Sequence, residues 1–120
     1  MDRNRVIDEL RIICKAYSDI IGLVILFGSY ARGDNNADSD IDLYIEPKNR
    51  QMTTAKLGEN DRYKAFKIAL YNNFNTDFDL LSYGGKRDIN NMRKSPLWKQ
   101  IETDGVLIYD QRAEVGHNTK

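Results

Sequence analysis

Val6, Ile7, Leu10, Ile13, Cys14 and Tyr17 are apolar positions three and four apart, with charges between them. That spacing predicts an amphipathic first helix with one face on a core. Leu23 to Phe27 is a continuous apolar run without alternation, which predicts a strand buried on both faces of an α/β sheet. Gly28 and Ser29 then stop it. Ser29 is expected to cap a short helical turn through Arg32, and Gly33 to end that turn. A polar loop, Asp34 to Ser39, leads into Asp40-Ile41-Asp42-Leu43-Tyr44-Ile45, which alternates with period two and predicts a second strand closed by Pro47. Residues 48–58 lack periodicity and read as a loop.

Tyr63, Phe66, Ile68, Ala69, Leu70 and Phe74 predict a second long helix, and Phe78, Leu80 and Leu81 a further strand ended by Gly84-Gly85. Lys86, Arg87, Arg93 and Lys94 then form a basic stretch that reads as a solvated face. Ser95-Pro96 supplies an N-cap and a proline at the first helical position. Leu97, Trp98 and Ile101 form that helix's inward stripe, Gly105 its stop, and Val106 to Tyr109 a last short strand. Helices alternate with strands, so the expected fold class is α/β (α+β), a small mixed sheet flanked by helices.

Composition narrows what such a domain can do. At 120 residues the chain closes one core but does not hold a catalytic domain plus a separate substrate domain. Residues 1–110 are read as one domain and 111–120 as a polar, flexible tail. Eighteen basic residues balance eighteen acidic ones, so no overall field recruits nucleic acid, and direct nucleic-acid binding is not expected. Cys14 is the sole cysteine, which excludes an intrachain disulfide, and His117 is the sole histidine, which leaves no Cys/His zinc site. Cys14 itself, on the apolar face of the first helix, reads as an inert buried thiol. The N-terminus lacks the apolar core of a signal peptide, and the longest apolar run, Ile20 to Phe27, is too short to span a bilayer. The expected setting is cytoplasmic, with no membrane partner.

The candidate chemistry lies in the alternating strand. Residues two apart on a strand share a face, so Asp40 and Asp42 project together while Ile41 and Leu43 enter the core. Same-face neighbours stand roughly 7 Å apart, and two carboxylates held there repel unless a hard cation such as Mg²⁺ joins them. A third acid is available in Thr76-Asp77-Phe78-Asp79-Leu80-Leu81, where Asp79 or Asp77 reaches the same place if the two strands pair. Three carboxylates on adjacent strands are what two-metal phosphoryl transfer requires. Gly28-Ser29, between a buried strand and a helical turn, offers close backbone approach, free N–H groups and a hydroxyl for phosphate. Arg32, one turn on, is placed either to touch a phosphate or to pair with a neighbouring carboxylate. Asp34 and Asp38, beside Asn35 and Asn36, read as turn residues. Counted from Asp34, the sixth position is Ser39 and the twelfth Ile45, so an EF-hand calcium loop is excluded.

Gly28-Ser29, ten residues, then Asp40-x-Asp42 resembles the motif of the DNA polymerase β-like nucleotidyltransferase superfamily. GSYARG followed by SDIDL is similar to its minimal nucleotidyltransferase (MNT) subfamily. The resemblance runs from the first helix to about Tyr109 and implies a nucleotidyltransferase fold. It implies Asp40 and Asp42 as paired metal ligands, Gly28 and Ser29 as the phosphate-binding turn, and two Mg²⁺ ions with ATP as donor. The subfamily's third carboxylate precedes apolar residues on a following strand, which fits Asp79 better than Asp77. Such small proteins occur as antitoxins beside a HEPN-domain RNase toxin and move AMP from ATP onto a tyrosine of that toxin. Two other readings compete: an antitoxin that masks its toxin without chemistry, or a nucleotidyltransferase for a small, aminoglycoside-like acceptor, which in so short a chain needs dimerisation or another subunit to complete the pocket.

Overall fold

A computed structural model describes residues 2–111. In chain order the elements are α1 (Arg3–Ala16), β1 (Ile21–Phe27), α2 (Gly28–Arg32), β2 (Ile41–Pro47), α3 (Thr54–Glu59) and α4 (Asp61–Asn73). They continue as β3 (Phe78–Ser82), α5 (Lys86–Arg93), α6 (Pro96–Asp104) and β4 (Val106–Asp110). The four strands form one sheet in the order β3-β2-β1-β4. β1 runs antiparallel to β2 and β4, whereas β2 and β3 are parallel. A parallel pair needs a long crossover, and α3 and α4 supply it. The sheet is therefore mixed, as the sequence predicts.

Both faces of the sheet are covered. On one, Val24, Leu26, Ile41, Leu43 and Ile45 pack with Val6 and Leu10 of α1 and Phe66 and Leu70 of α4. On the other, Leu23 and Tyr44 pack with Met92 of α5 and Ile101 of α6, flanked by Ile25, Phe27 and Trp98. This double cover accounts for the unbroken apolar run in β1. Alternation in β2 sorts Ile41 and Leu43 to the α1–α4 side, and turns Asp42 and Tyr44 toward α5 and α6. Cys14 is fully buried in the larger core, and burial pushes its thiol up to about 12.

Several expectations are corrected. The segment read as a loop over 48–58 holds all but the last residue of α3, which is capped by the Thr53 side chain accepting from Lys56 N–H and anchored by one buried side chain, Leu57. A single anchor leaves no periodic stripe to read. Ser29 is not the cap of the short helix: α2 starts at Gly28, extended Phe27 is the N-cap, and no side chain caps it. Gly33 does end it, in the left-handed conformation at φ +85°. Asp40 precedes β2 by one residue instead of opening it. α4 buries Tyr63, Phe66 and Leu70 but leaves Ile68 60% exposed. Arg93 leaves the expected solvated face and folds inward, while Lys86, Arg87 and Lys94 remain exposed. Of the expected tail, Gln111 donates through Nε2 to Lys48 O at 2.9 Å, and residues 112–120 lie outside the described residues. No helix among the described residues is long and apolar enough to cross a membrane.

Candidate active site

The parallel pairing of β2 and β3 sets Asp42 directly opposite Asp79, with Ile41 opposite Phe78 and Leu43 opposite Leu80. The same alternation that buries Ile41, Leu43 and Phe78 brings Asp42 and Asp79 out on one face. Asp42 is half-buried and Asp79 exposed at the edge strand. Asp40 stands just before β2. Burial, the Asp79 charge and the Asp40 charge, in that order, raise the Asp42 carboxyl above the usual range, and the Arg32 guanidinium pulls it partly back. Three carboxylates thus share one electrostatic neighbourhood.

Asp77 is placed differently. Its carbonyl accepts from Ile41 N–H at 2.9 Å, which ties it to the start of β2. With Asp38 and Asp40 it lines an open polar cavity of about 440 Å³, bounded by Phe74, Asn75 and Thr76. It precedes β3 and is not the residue opposite Asp42. Of the two acids left open by the sequence, Asp79 is the one that couples to Asp42.

Gly28 completes this corner of the sheet. Phe27 pairs with Asp42 across β1 and β2, so the first residue beyond β1 sits against that carboxylate. Gly28 enters α2 at φ +74°, a conformation that favours glycine. A Cβ there would run into Asp42 Oδ2, far inside contact distance. Two constraints therefore demand glycine: the turn, and room for the carboxylate. Ser29 follows on α2, with its carbonyl accepting from Gly33 and Asp34 N–H. Arg32 pairs with Asp34, Nε to Oδ2 at 3.2 Å, on the surface. Asp38 lies in the preceding turn, its N–H donating to Asn36 Oδ1 at 2.9 Å.

A polar network further along the same face of β2 is not evident in the sequence. Tyr44 Oη donates to Glu46 Oε2 at 2.6 Å, and Arg93 Nη2 to the same oxygen at 2.5 Å. Arg50 approaches Oε1 at 3.7 Å. The Glu46 side chain is 2% exposed, so these partners offset the burial of its charge. Arg93 also lies over the Trp98 ring, 4.3 Å from its centroid, and Trp98 meets Tyr44 edge-to-face at 5.1 Å. The network clamps α5 and α6 onto the sheet two positions beyond Asp42. Its one trace in the sequence is that Glu46 keeps the period-two phase of Asp42 and Tyr44.

Among the described residues no three or more carboxylate, imidazole or thiolate side chains are grouped closely enough to hold an ion. The donor set is nevertheless all hard oxygen, the kind that suits Mg²⁺.

Comparison with known proteins agrees with this architecture. The family model described as "Polymerase beta, Nucleotidyltransferase" matches residues 8–114. MJ0141 of Methanocaldococcus jannaschii, which its name proposes to be a protein adenylyltransferase, is 41% identical over 63 residues. That match takes in 52% of this chain and 56% of the relative, so the chain aligns with little more than half of the relative's length. Among solved structures, a toxin–antitoxin complex with AMP-PNP superposes at a TM-score of 0.55 and 21% identity, over 96% of this chain and 80% of that one. A doubly substituted MntA–HpeT toxin–antitoxin complex gives 0.54 at 19% identity, over the same shares. At these identities the likeness is one of fold. The family model spans most of the chain, including every residue of the carboxylate corner, and this chain belongs to the polymerase β nucleotidyltransferase family.

Proposed function

We propose that this chain is a Mg²⁺-dependent protein adenylyltransferase acting as an antitoxin. It transfers AMP from ATP to a hydroxyl, that of a tyrosine, on a HEPN-domain RNase toxin and so silences it. The observation that carries the reading is the facing pair Asp42 and Asp79, with Asp40 in the same field and Gly28 against Asp42. Asp40 and Asp42 would hold two Mg²⁺ ions and Asp79 one of them. When bound, Mg²⁺ neutralises the clustered carboxylates and stabilises charge on the phosphates. The raised Asp42 carboxyl fits this role, since its unfavourable neighbours are what a divalent cation relieves.

The remaining work falls to the chain's own groups. The N–H groups at the Gly28-Ser29 turn and the Ser29 hydroxyl hold the β- and γ-phosphates, as free N–H groups at a helix start do. Arg32, whose guanidinium lowers the Asp42 carboxyl, would be an accessory contact to the triphosphate. The acceptor oxygen attacks the α-phosphorus in line. The bond from that phosphorus to the α–β bridging oxygen breaks, and pyrophosphate leaves with the electron pair. Asp79, exposed on the edge strand opposite Asp42, takes the acceptor's proton. The named relatives support this donor and this kind of partner, and the free buried Cys14 suits a cytoplasmic setting.

Mass spectrometry of a HEPN partner after incubation with this chain, ATP and Mg²⁺ tests the proposal. An adduct of one or more AMP units on a partner tyrosine is the expected result. A partner neutralised without any adduct would favour masking, and an unmodified partner beside a modified small molecule would favour the aminoglycoside-like reading.

A further inference from the structure

β3 is an edge strand. The odd-numbered residues flanking it bond inward, and the register carries that phase through the strand: Asp77 O accepts from Ile41 N–H at 2.9 Å, and Tyr83 N–H donates to Ile45 O at 3.0 Å. In a parallel ladder the intervening residues, Phe78, Leu80 and Ser82, then turn their N–H and C=O groups away from β2. Among the described residues no backbone group pairs with them. The strand carries no proline and its register with β2 is unbroken, so two usual devices for blunting an edge are missing. The only charged side chain within β3 is Asp79.

A groove of about 750 Å³ runs along the same edge on the α4 side, lined by Lys64, Lys67, Ile68, Tyr71, Phe78 and Leu80 among others. Ile68 is 60% and Tyr71 50% exposed, which is unusual for large apolar side chains on one helix face. Two ammonium groups and no carboxylate line the groove.

Resting on the adenylyltransferase reading, we infer that the β3 edge docks the acceptor itself: an extended, acidic, hydroxyl-bearing segment of the partner adds to the sheet as a fifth strand. Its backbone pairs with Phe78, Leu80 and Ser82. Its side chains alternate between two environments. One set enters the groove, where acidic and apolar groups meet Lys64, Lys67, Ile68 and Tyr71. The other set comes out on the Asp42–Asp79 face. Paired strands lie about 4.8 Å apart, so the residue beside Asp79 places its hydroxyl next to that carboxylate. One strand addition thus supplies both affinity and aim.

Amide NMR of the ¹⁵N-labelled protein tests this. The probe is a synthetic ten-residue peptide with one tyrosine flanked by alternating acidic and apolar residues, compared with a twin N-methylated at alternate positions. The expected result is shifts at the amides of Phe78, Leu80 and Ser82 with the first peptide and none there with the twin. Lys64→Glu with Lys67→Glu should weaken binding about tenfold while leaving the spectrum folded. No shift at those three amides at millimolar peptide, or equal binding of the twin, overturns the inference. So would a shift of these amides on ending the chain at Gln111 without peptide, which would mean that its own last residues occupy the edge. AMP-PNP with Mg²⁺, titrated in parallel, should move Gly28 to Ala31. Failure there strikes the nucleotide reading and leaves the edge result readable on its own.

Discussion

Asp42 and Asp79 face each other across parallel strands, one half-buried and the other exposed, and the charge of the second raises the carboxyl of the first. Their juxtaposition costs the fold something and has no packing benefit that would repay it. Stability and activity should therefore respond in opposite directions when it is relieved.

Asp42→Asn is the direct test of that opposition. The folded-state carboxyl is raised, so the folded chain binds its proton more tightly than the unfolded chain does. This contribution is fully present below the ordinary carboxylate pKa and is lost as pH rises through the raised value. Wild type should thus fall behind Asp42→Asn in melting temperature as pH increases across that window in the presence of chelator. Transfer activity of the same variant should drop at least about a hundredfold. Equal melting temperatures at acidic and neutral pH would show that neither burial nor the neighbouring carboxylates raise Asp42 in the folded chain.

Gly28→Ala should fail twice. The left-handed backbone costs a non-glycine residue about 1–2 kcal/mol, and the new methyl meets Asp42 Oδ2. Urea denaturation should show a loss of at least that size, and calorimetry should show weakened AMP-PNP binding. Ser29→Ala, with φ in the helix and no capping bond to lose, should weaken AMP-PNP binding with little change in stability.

Arg93→Ala leaves buried Glu46 with the Tyr44 hydroxyl and, as its remaining cation, only the more distant Arg50. Losing one partner of a buried pair costs about 3–5 kcal/mol. The Arg93 side chain is 28% exposed, so about 2–3 kcal/mol is the expected loss. A double-mutant cycle with Glu46→Leu should give a coupling energy of at least about 1 kcal/mol in equilibrium denaturation. Additive losses would mean that the ion pair is incidental to holding α5 on the sheet.

Cys14 should be invisible to thiol reagents in the native protein. Burial holds its thiol at about 12, so almost no thiolate exists at pH 8. Its labelling rate should track global unfolding, rising with urea along the denaturation curve. Rapid labelling without denaturant would place Cys14 on a mobile surface.

What the sequence displayed and what it hid follow from the range of the interactions. β1, the alternation of β2, and the caps at Ser95 and Gly105 are local patterns, and they read correctly. The Asp40-x-Asp42 pair is local too. Asp79 required a pairing partner to be guessed, which is why Asp77 competed with it until the register decided which acid meets Asp42. α3 escaped because one buried leucine gives no period. Ser29 misled because serine is a strong capping residue, whereas α2 begins one residue sooner, at Gly28, with no side-chain cap. Glu46 and Arg93 are 47 positions apart, and a basic residue in a charged run carries no sign that its carboxylate lies on a buried strand.

Nucleotidyl transfer by Asp40 and Asp42, with Asp79, stands or falls on one labelling experiment. α-Labelled ATP and Mg²⁺ are incubated with a HEPN partner and either the wild-type chain or the Asp40→Asn/Asp42→Asn double variant. Label on a partner tyrosine with wild type, and none above background with a folded double variant, is the predicted result. Undiminished label transfer by the double variant would contradict it.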